Sequence, residues 1–481
     1  VYLGFKLEWM EGIVMARREA AERAECTGGR GGSIGARVRA GVRVGAVAAL
    51  ALVAAVAGSC GLVERVTKQP EPRRAPLFTT EPDVRVRVVK NATTVTISGA
   101  PTLVVRTRGP GAAVGATDSA PSPLTLTADA SGIAMRDGAG KERRYEPGQD
   151  LEVMASTGGA SASLRVNSAT YPGVVLVLGQ WGGGGGSATG GAAFDVVADM
   201  PIEAYIPGVL THELFRDWPR QTYEAQAVAA RTYAVHERGR ARREGRAWDL
   251  EATTADQVFG GLTKLRLPMD ATRATTGMIL TWRGEPLRAY YSSQCGGRAG
   301  SAAAVWSTAE RFEFNEAEPI QGKPRTHYCQ RSSRYRWEVT RTDDDVNRRL
   351  RAYGRMRSLE LQNVTKVRRI EVDERNDAER PNTYRVTDDR GREYIVRAED
   401  LRAALNHQVQ GLPNVVRDKD EVLSGDFEAE IWANTVRFRG RGWGHGVGMC
   451  QWCAKGMAES GMDWASMLRE FYPGAEVVKA W

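Results

Sequence analysis

The sequence predicts an α+β fold with a strand-rich front, and three observations carry that reading. Apolar and polar residues alternate with period two after Asp83, helical periodicity sets in near Asp199, and short strands and helices intersperse from there to the C-terminus. The chain has 481 residues, 42% hydrophobic and 26% charged, a globular composition that excludes a wholly disordered, collagenous or multi-span membrane protein. Its length corresponds to roughly three units of about 150 residues each. The formal charge of +8 is spread among acidic neighbours and no basic face interleaved with aromatics appears, so nucleic acid is not an expected partner.

The first element is not part of the fold. Arg37, Arg39 and Arg43 precede the uncharged run Val44 to Ala57, too short to span a bilayer comfortably but suited to the apolar part of an export signal. Two processing readings follow: cleavage after the small residues Ala55 and Ala57, or a lipoprotein box, Ala57-Gly58-Ser59-Cys60, in which Cys60 becomes the acylated first residue. Met15 opens a tidier basic leader than Val1. Residues 1–60 therefore read as a leader, and 61–82, rich in Pro and charge without any period, as a linker. An exported, membrane-anchored protein of the cell envelope is the expectation.

Residues 83–195 read as a β-rich part, from the alternation in VRVRVVKNATTVTISG, TLVVRTR, SLRVNSATYPGVVLVLG and AAFDVVADM. The run Gly182 to Gly186 lacks the following helix with Lys-Ser/Thr that a phosphate loop needs, and reads as a hairpin connection. Residues 196–340 read as a helical core with strands. Asp199 is its candidate N-cap with Pro201 close to the first turn, and Ile202, Tyr205, Ile206 and Val209 share one face. A second helix starts around Pro219, and its alanines 225, 227, 229, 230 and 234 permit close backbone approach. Residues 341–430 read as a second α+β part, with alternation over 366–398 and a short amphipathic helix at AEDLRAALNHQ. Residues 431–481 complete the core with a strand, VRFRGRGWGHGVG, and the helices QWCAKGMAESG and DWASMLREFYPG.

Three clusters could carry chemistry: residues 209–237, 287–297 and 440–457. Glu213 falls where the first helix runs out, among Leu214, Phe215 and Trp218. Partial desolvation and the negative helix end would both favour its protonated form, that of a general acid; the alternative is a carboxylate that merely solvates a helix end. Alternate glycines from Gly440 to Gly448 frame Trp443, a flat face for a sugar ring, and His445, a hydrogen-bonding group. Neither cluster alone identifies a reaction.

Together the segments PIEAYIPGVLTHEL, WPRQTYEAQAVAARTYA, TTADQVFGG, AYYSSQCGG with SAAAVW, and GRGWGHGVGMCQWCAKGMAESG with FYPGAE resemble the stage II sporulation protein D family, the SpoIID/LytB domain, over roughly residues 84–478. The resemblance implies lytic transglycosylation of the MurNAc-GlcNAc bond of peptidoglycan, leaving anhydro-muramic acid ends, with the family's catalytic acid on Glu213. It also implies that Gln226, Arg231, Tyr291, Ser292, Ser293 and His445 line or brace a glycan groove, with Trp443 as a stacking face. The LytB-type name implies a second reading, a non-catalytic wall-binding module that stimulates an amidase. Glycan strands are then the partner, with a cell-wall amidase beside them.

The remaining cysteines leave several outcomes open. The resemblance implies a disulfide between Cys295 and Cys329. The family's zinc-binding members carry histidines beside the CGG, where Tyr291 and Arg298 stand here; His327 is a further candidate. Cys450 and Cys453 form a C-x-x-C where the family usually has SQWGA. Four thiols at these positions can make an all-thiolate zinc site, two disulfides, or one disulfide and a free pair. Any metal would be structural, and the reaction requires none.

Overall fold

The computed structural model describes residues 76–109, 114–158, 162–181, 192–416 and 419–481. The leader, Cys60, most of the linker and the Gly182–Gly186 run lie outside the described residues. No described helix is long and apolar enough to cross a membrane.

The alternation after Asp83 folds into two antiparallel-rich sheets. The seven-stranded sheet runs in the order Leu250–Glu251, Asp83–Ala92, Ala193–Pro201, Val174–Gln180, Asp150–Ala155, Thr102–Arg108, Val114–Pro121. The six-stranded sheet is built from Ala169–Pro172, Ser163–Val166, Thr94–Ser98, Leu124–Asp129, Gly132–Arg136 and Glu142–Tyr145. Period two puts Val84, Val86, Leu103, Val105, Leu151 and Val153 of the first sheet, and Val95, Ile97, Leu124 and Leu126 of the second, into one buried cluster. Gln180 pairs antiparallel with Ala193, so the glycine run joins neighbouring strands.

The strand Ala193–Pro201 feeds directly into the helix Ile202–Glu213. The helix starts after Pro201, which caps it without a side-chain hydrogen bond. Asp199, expected as the N-cap, is instead held in the strand by pairing with Arg85 and Val174. Ile202, Tyr205, Ile206, Val209 and Leu210 are fully buried, and each aliphatic among them contributes about 1.5–3 kcal/mol by leaving water. The helix Arg220–Arg243 begins after Pro219, and every residue from Thr222 to Val235 is buried. Its fully buried alanines let it pack against the helices Ile202–Glu213, Arg266–Ala274, Gln451–Glu459 and Trp464–Phe471 and the strand Met278–Trp282.

A second core forms from the helices Asp343–Arg357 and Ala398–Asn406 and two three-stranded sheets. One sheet is Val367–Arg375, Pro381–Asp388 and Glu393–Arg397; the other pairs Thr435–Gly440 with Trp337–Thr342 and Phe427–Trp432. Thr342 caps its helix by accepting from the Asp345 amide at 3.2 Å. Arg380 staples this unit to the first: its guanidinium, 3% exposed, donates to the carbonyls of Gly444 at 3.0 Å, and of Cys295 and Arg298 at 3.4 Å. The two loops it grips are those that wall the site.

Candidate active-site groove

A groove of about 340 Å³ opens where the Ile202–Glu213 helix ends, and the second unit forms its far wall. Glu213 is the last helical residue. The chain then turns sharply, with the Trp218 amide donating to the Phe215 carbonyl at 3.1 Å before Pro219 starts the next helix. The half-buried Glu213 carboxylate is oriented by two neutral donors: the Val258 amide at 3.3 Å on Oε1 and the Gln451 side-chain amide at 3.3 Å on Oε2. Gln451 also donates to Gln226 Oε1 at 3.3 Å. Phe215, Trp218 and Trp452 form an aromatic wall beside the carboxylate, with Trp218 5.3 Å from each of the other rings.

The opposite wall is Tyr291, Ser292 and Ser293 with Trp443, Gly444 and His445. Two short strands hold it, Tyr291 and Ser292 pairing in parallel with Met449 and Cys450. Burial and the Glu213 charge keep the Tyr291 hydroxyl well above its ordinary pKa, so it stays protonated. Ser292 is 7% exposed, and its buried Oγ has no hydrogen-bond partner among the described residues. His445 is pushed down to about 4 by burial, hence neutral above pH 5. Its Nδ1 accepts from the Val447 amide at 3.0 Å, which fixes the proton on Nε2, the nitrogen left to bond the Tyr291 backbone. Trp306, stacked on Tyr290 at 3.8 Å, packs edge-on to His445 at 4.9 Å.

The WGHG segment, expected as the end of a strand, is a loop. The strand stops at Gly440, and Gly442, Gly444, Gly446 and Gly448 all adopt left-handed φ between 67° and 90°. The glycines are required there: a Cβ on Gly448 would lie 2.0 Å from the Tyr290 carbonyl oxygen. That conformation lets Trp443 and Gln294 exchange backbone hydrogen bonds at 2.9 and 3.0 Å.

Of the residues expected to line or brace the groove, Glu213, Tyr291, Ser292, Ser293, Trp443 and His445 come together on its surface. Gln226 stands behind Gln451, fully buried, as a brace. Arg231 does not reach the groove. It is fully buried, bonded to Glu203 through Nε at 3.0 Å and Nη2 at 2.7 Å, and donates to the carbonyls of Met278 and Thr272 at 3.2 and 3.3 Å. Sequence reasoning placed Phe215 and Trp218 beside Glu213 but missed Gln451, Arg380 and the part Trp452 plays in the aromatic wall. CQWCA and the tryptophans were visible, but nothing local says which segment they face. Of the other groove carboxylates, Asp256 accepts from the Tyr233 hydroxyl at 3.0 Å and the Glu251 amide at 2.8 Å, Glu399 faces Arg402 at 3.0 Å, and Asp400 accepts from Arg397 at 2.8 Å; Glu421, 7% exposed, also lines the groove.

The cysteines expected as metal ligands or disulfide partners, Cys295, Cys329, Cys450 and Cys453, converge behind the Tyr291 wall with their side-chain sulfurs all within 4.8 Å of one another. They are unbridged, with Cys295 and Cys329 Sγ 3.8 Å apart, so the disulfide implied by the resemblance is not the arrangement seen.

Residues 191–282, which include the Glu213 helix, match the family model for Stage II sporulation protein, SpoIID, and residues 308–448, which include Trp443 and His445, match a domain of unknown function, DUF8618. An uncharacterized protein of Brachyspira hyodysenteriae is 29% identical over 284 residues, 59% of this chain and 68% of the relative. The Stage II sporulation protein D of Bacillus subtilis is 25% identical over 298 residues, 59% of this chain and 76% of its own. The Amidase enhancer of the same organism is 25% identical over 298 residues, 56% of this chain but 39% of the relative. The helix that delivers Glu213 to the groove thus lies inside the matched domain, and the chain carries a SpoIID-family domain over residues 191–282.

Proposed function

We propose that the chain is a lytic transglycosylase of the bacterial cell envelope that cleaves peptidoglycan glycan strands, with Glu213 as general acid and then base. The observation that carries this reading is the Glu213 carboxylate, oriented by the Val258 amide and the Gln451 side chain in a groove with an aromatic wall beside it. Hydrolysis with a water nucleophile generally uses a second catalytic carboxylate to activate the water. An intramolecular route does not. Glu213 gives its proton to the O4 of the departing N-acetylglucosamine as the C1–O4 bond breaks, and the carboxylate then takes the proton of the muramic C6 hydroxyl as O6 bonds to C1. The proton is returned, no water is consumed, and an anhydro-muramic end is left. Trp452, partly exposed, offers a ring face to the sugars, while Tyr291, Ser293 and His445 line the opposite wall.

The test is incubation of the purified full chain with glycan strands, with and without stem peptides, followed by mass spectrometry for anhydro-muramic ends. The expected result is such ends, and their loss in Glu213→Gln with binding retained. Binding without product on either substrate, together with stimulation of an amidase, would establish the second reading, which the likeness to the Amidase enhancer supports.

A further inference from the structure

Four cysteines from three separate segments meet at one buried point. Cys295 belongs to the CGG loop, Cys329 to the segment after His327 and Tyr328, and Cys450 and Cys453 to the N-terminus of the helix Gln451–Glu459. All four are fully buried. We propose that these four thiolates bind one zinc ion in a tetrahedral site that clamps the two walls of the Glu213 groove to the helix behind them.

The spacing fits one four-sulfur site rather than two bridged pairs, since all four sulfurs lie within 4.8 Å of one another. Zinc–thiolate bonds of about 2.3 Å in tetrahedral array put neighbouring sulfurs about 3.8 Å apart. Cys295 Sγ has two sulfur neighbours at nearly equal distance, Cys329 at 3.8 Å and Cys453 at 3.7 Å. A disulfide would place one sulfur at about 2.05 Å and single it out. The surroundings are those a doubly negative zinc tetrathiolate needs. The backbone amides of Cys295 and Cys453 both donate to Cys450 Sγ at 3.3 Å, and His327 Nδ1 lies 3.5 Å from Cys295 Sγ as an outer donor. Cys450 is also the N-cap of its helix, where the positive end of the helix favours an anionic sulfur. Four sulfur ligands leave no open coordination position, so the ion is structural. Binding releases the four thiol protons to solvent and changes no oxidation state. Its mechanical consequence follows from the chain: Ser292 lies three residues before Cys295, and Gln451, which orients Glu213, lies immediately after Cys450.

The experiment uses the full chain, purified from its export compartment and analysed for metal by mass spectrometry and for bridges by non-reducing peptide mapping. The expected result is one zinc per chain and four thiols that react with an alkylating reagent only after chelation. Cobalt(II) added to the metal-free protein should give the intense visible bands of a tetrahedral thiolate complex. Cys453→Ser should lower zinc affinity by about tenfold or more. Cys329→His, which keeps four ligands, should retain zinc while its cobalt bands shift toward those of an S₃N site, so the proposal is testable even where the serine variant fails to fold. Two disulfides without metal, iron in place of zinc, or a cobalt spectrum unchanged by Cys329→His would overturn the assignment. This outcome is independent of whether Glu213 is catalytic.

Discussion

Replacing Arg231 by Met separates a structural arginine from one that holds glycan. The wild-type guanidinium is fully buried, its Glu203 partner is 16% exposed at the side chain, and the two are joined by bonds of 3.0 and 2.7 Å. Met fills most of the volume but strands a largely desolvated carboxylate and leaves the carbonyls of Met278 and Thr272 without this donor. Removing one partner of a buried pair costs about 3–5 kcal/mol. Glu203 keeps the Gly277 amide at 2.8 Å, which places the expected loss near the lower end, about 3 kcal/mol. Adding Glu203→Gln to Arg231→Met removes the unpaired charge and should recover about half of that loss. The assay is urea unfolding followed by tryptophan fluorescence, with glycan binding measured on the folded protein. An Arg231→Met protein within about 0.5 kcal/mol of wild type, but with weakened glycan binding, would show that the guanidinium meets ligand and that the buried pair has been misread.

Trp452→Ala should raise KM for glycan strands about tenfold, the equivalent of about 1.4 kcal/mol of lost ring contact, with kcat nearly unchanged; steady-state kinetics checks the split. Gly448→Ala should destabilise by about 3 kcal/mol or more, because φ is +67° and the added Cβ meets the Tyr290 carbonyl at 2.0 Å; thermal unfolding reads it. His445→Gln should flatten the acid limb of the stability profile. The buried imidazole titrates near 4 against an ordinary 6.5, so the unfolded chain takes up this proton first. Its contribution is therefore full above about 6.5 and is lost progressively as pH falls toward 4; unfolding free energies measured across that window should depend less on pH in the variant.

The local elements were legible from residue order. The period-two stretches after Asp83, the helical face of Ile202, Tyr205, Ile206 and Val209, the helix after Pro219 and the helix at AEDLRAALNHQ appear where their patterns put them. Each is set by neighbours within one or two turns, and periodicity reports on that range. The start of the first helix was misplaced because Asp199 has cap chemistry, yet its backbone is already committed to strand pairing with Arg85, 114 residues earlier. WGHG was misread as strand because alternating glycine imitates period two, while the left-handed φ values are imposed by the facing loop at Tyr290 and Gln294.

Residue order thus settled most of the helices and strands, and it put Glu213 at a helix end. Partnership belonged to the folded chain. Gln451 orients Glu213 from 238 residues away, Arg380 grips two loops from the second unit, Arg231 turns inward to Glu203, and four thiols gather from three segments. The physical reason is one of range: a backbone preference is spent within a turn or two, whereas the energy of a buried charge, thiol or amide depends on whatever distant group packing brings within hydrogen-bonding reach.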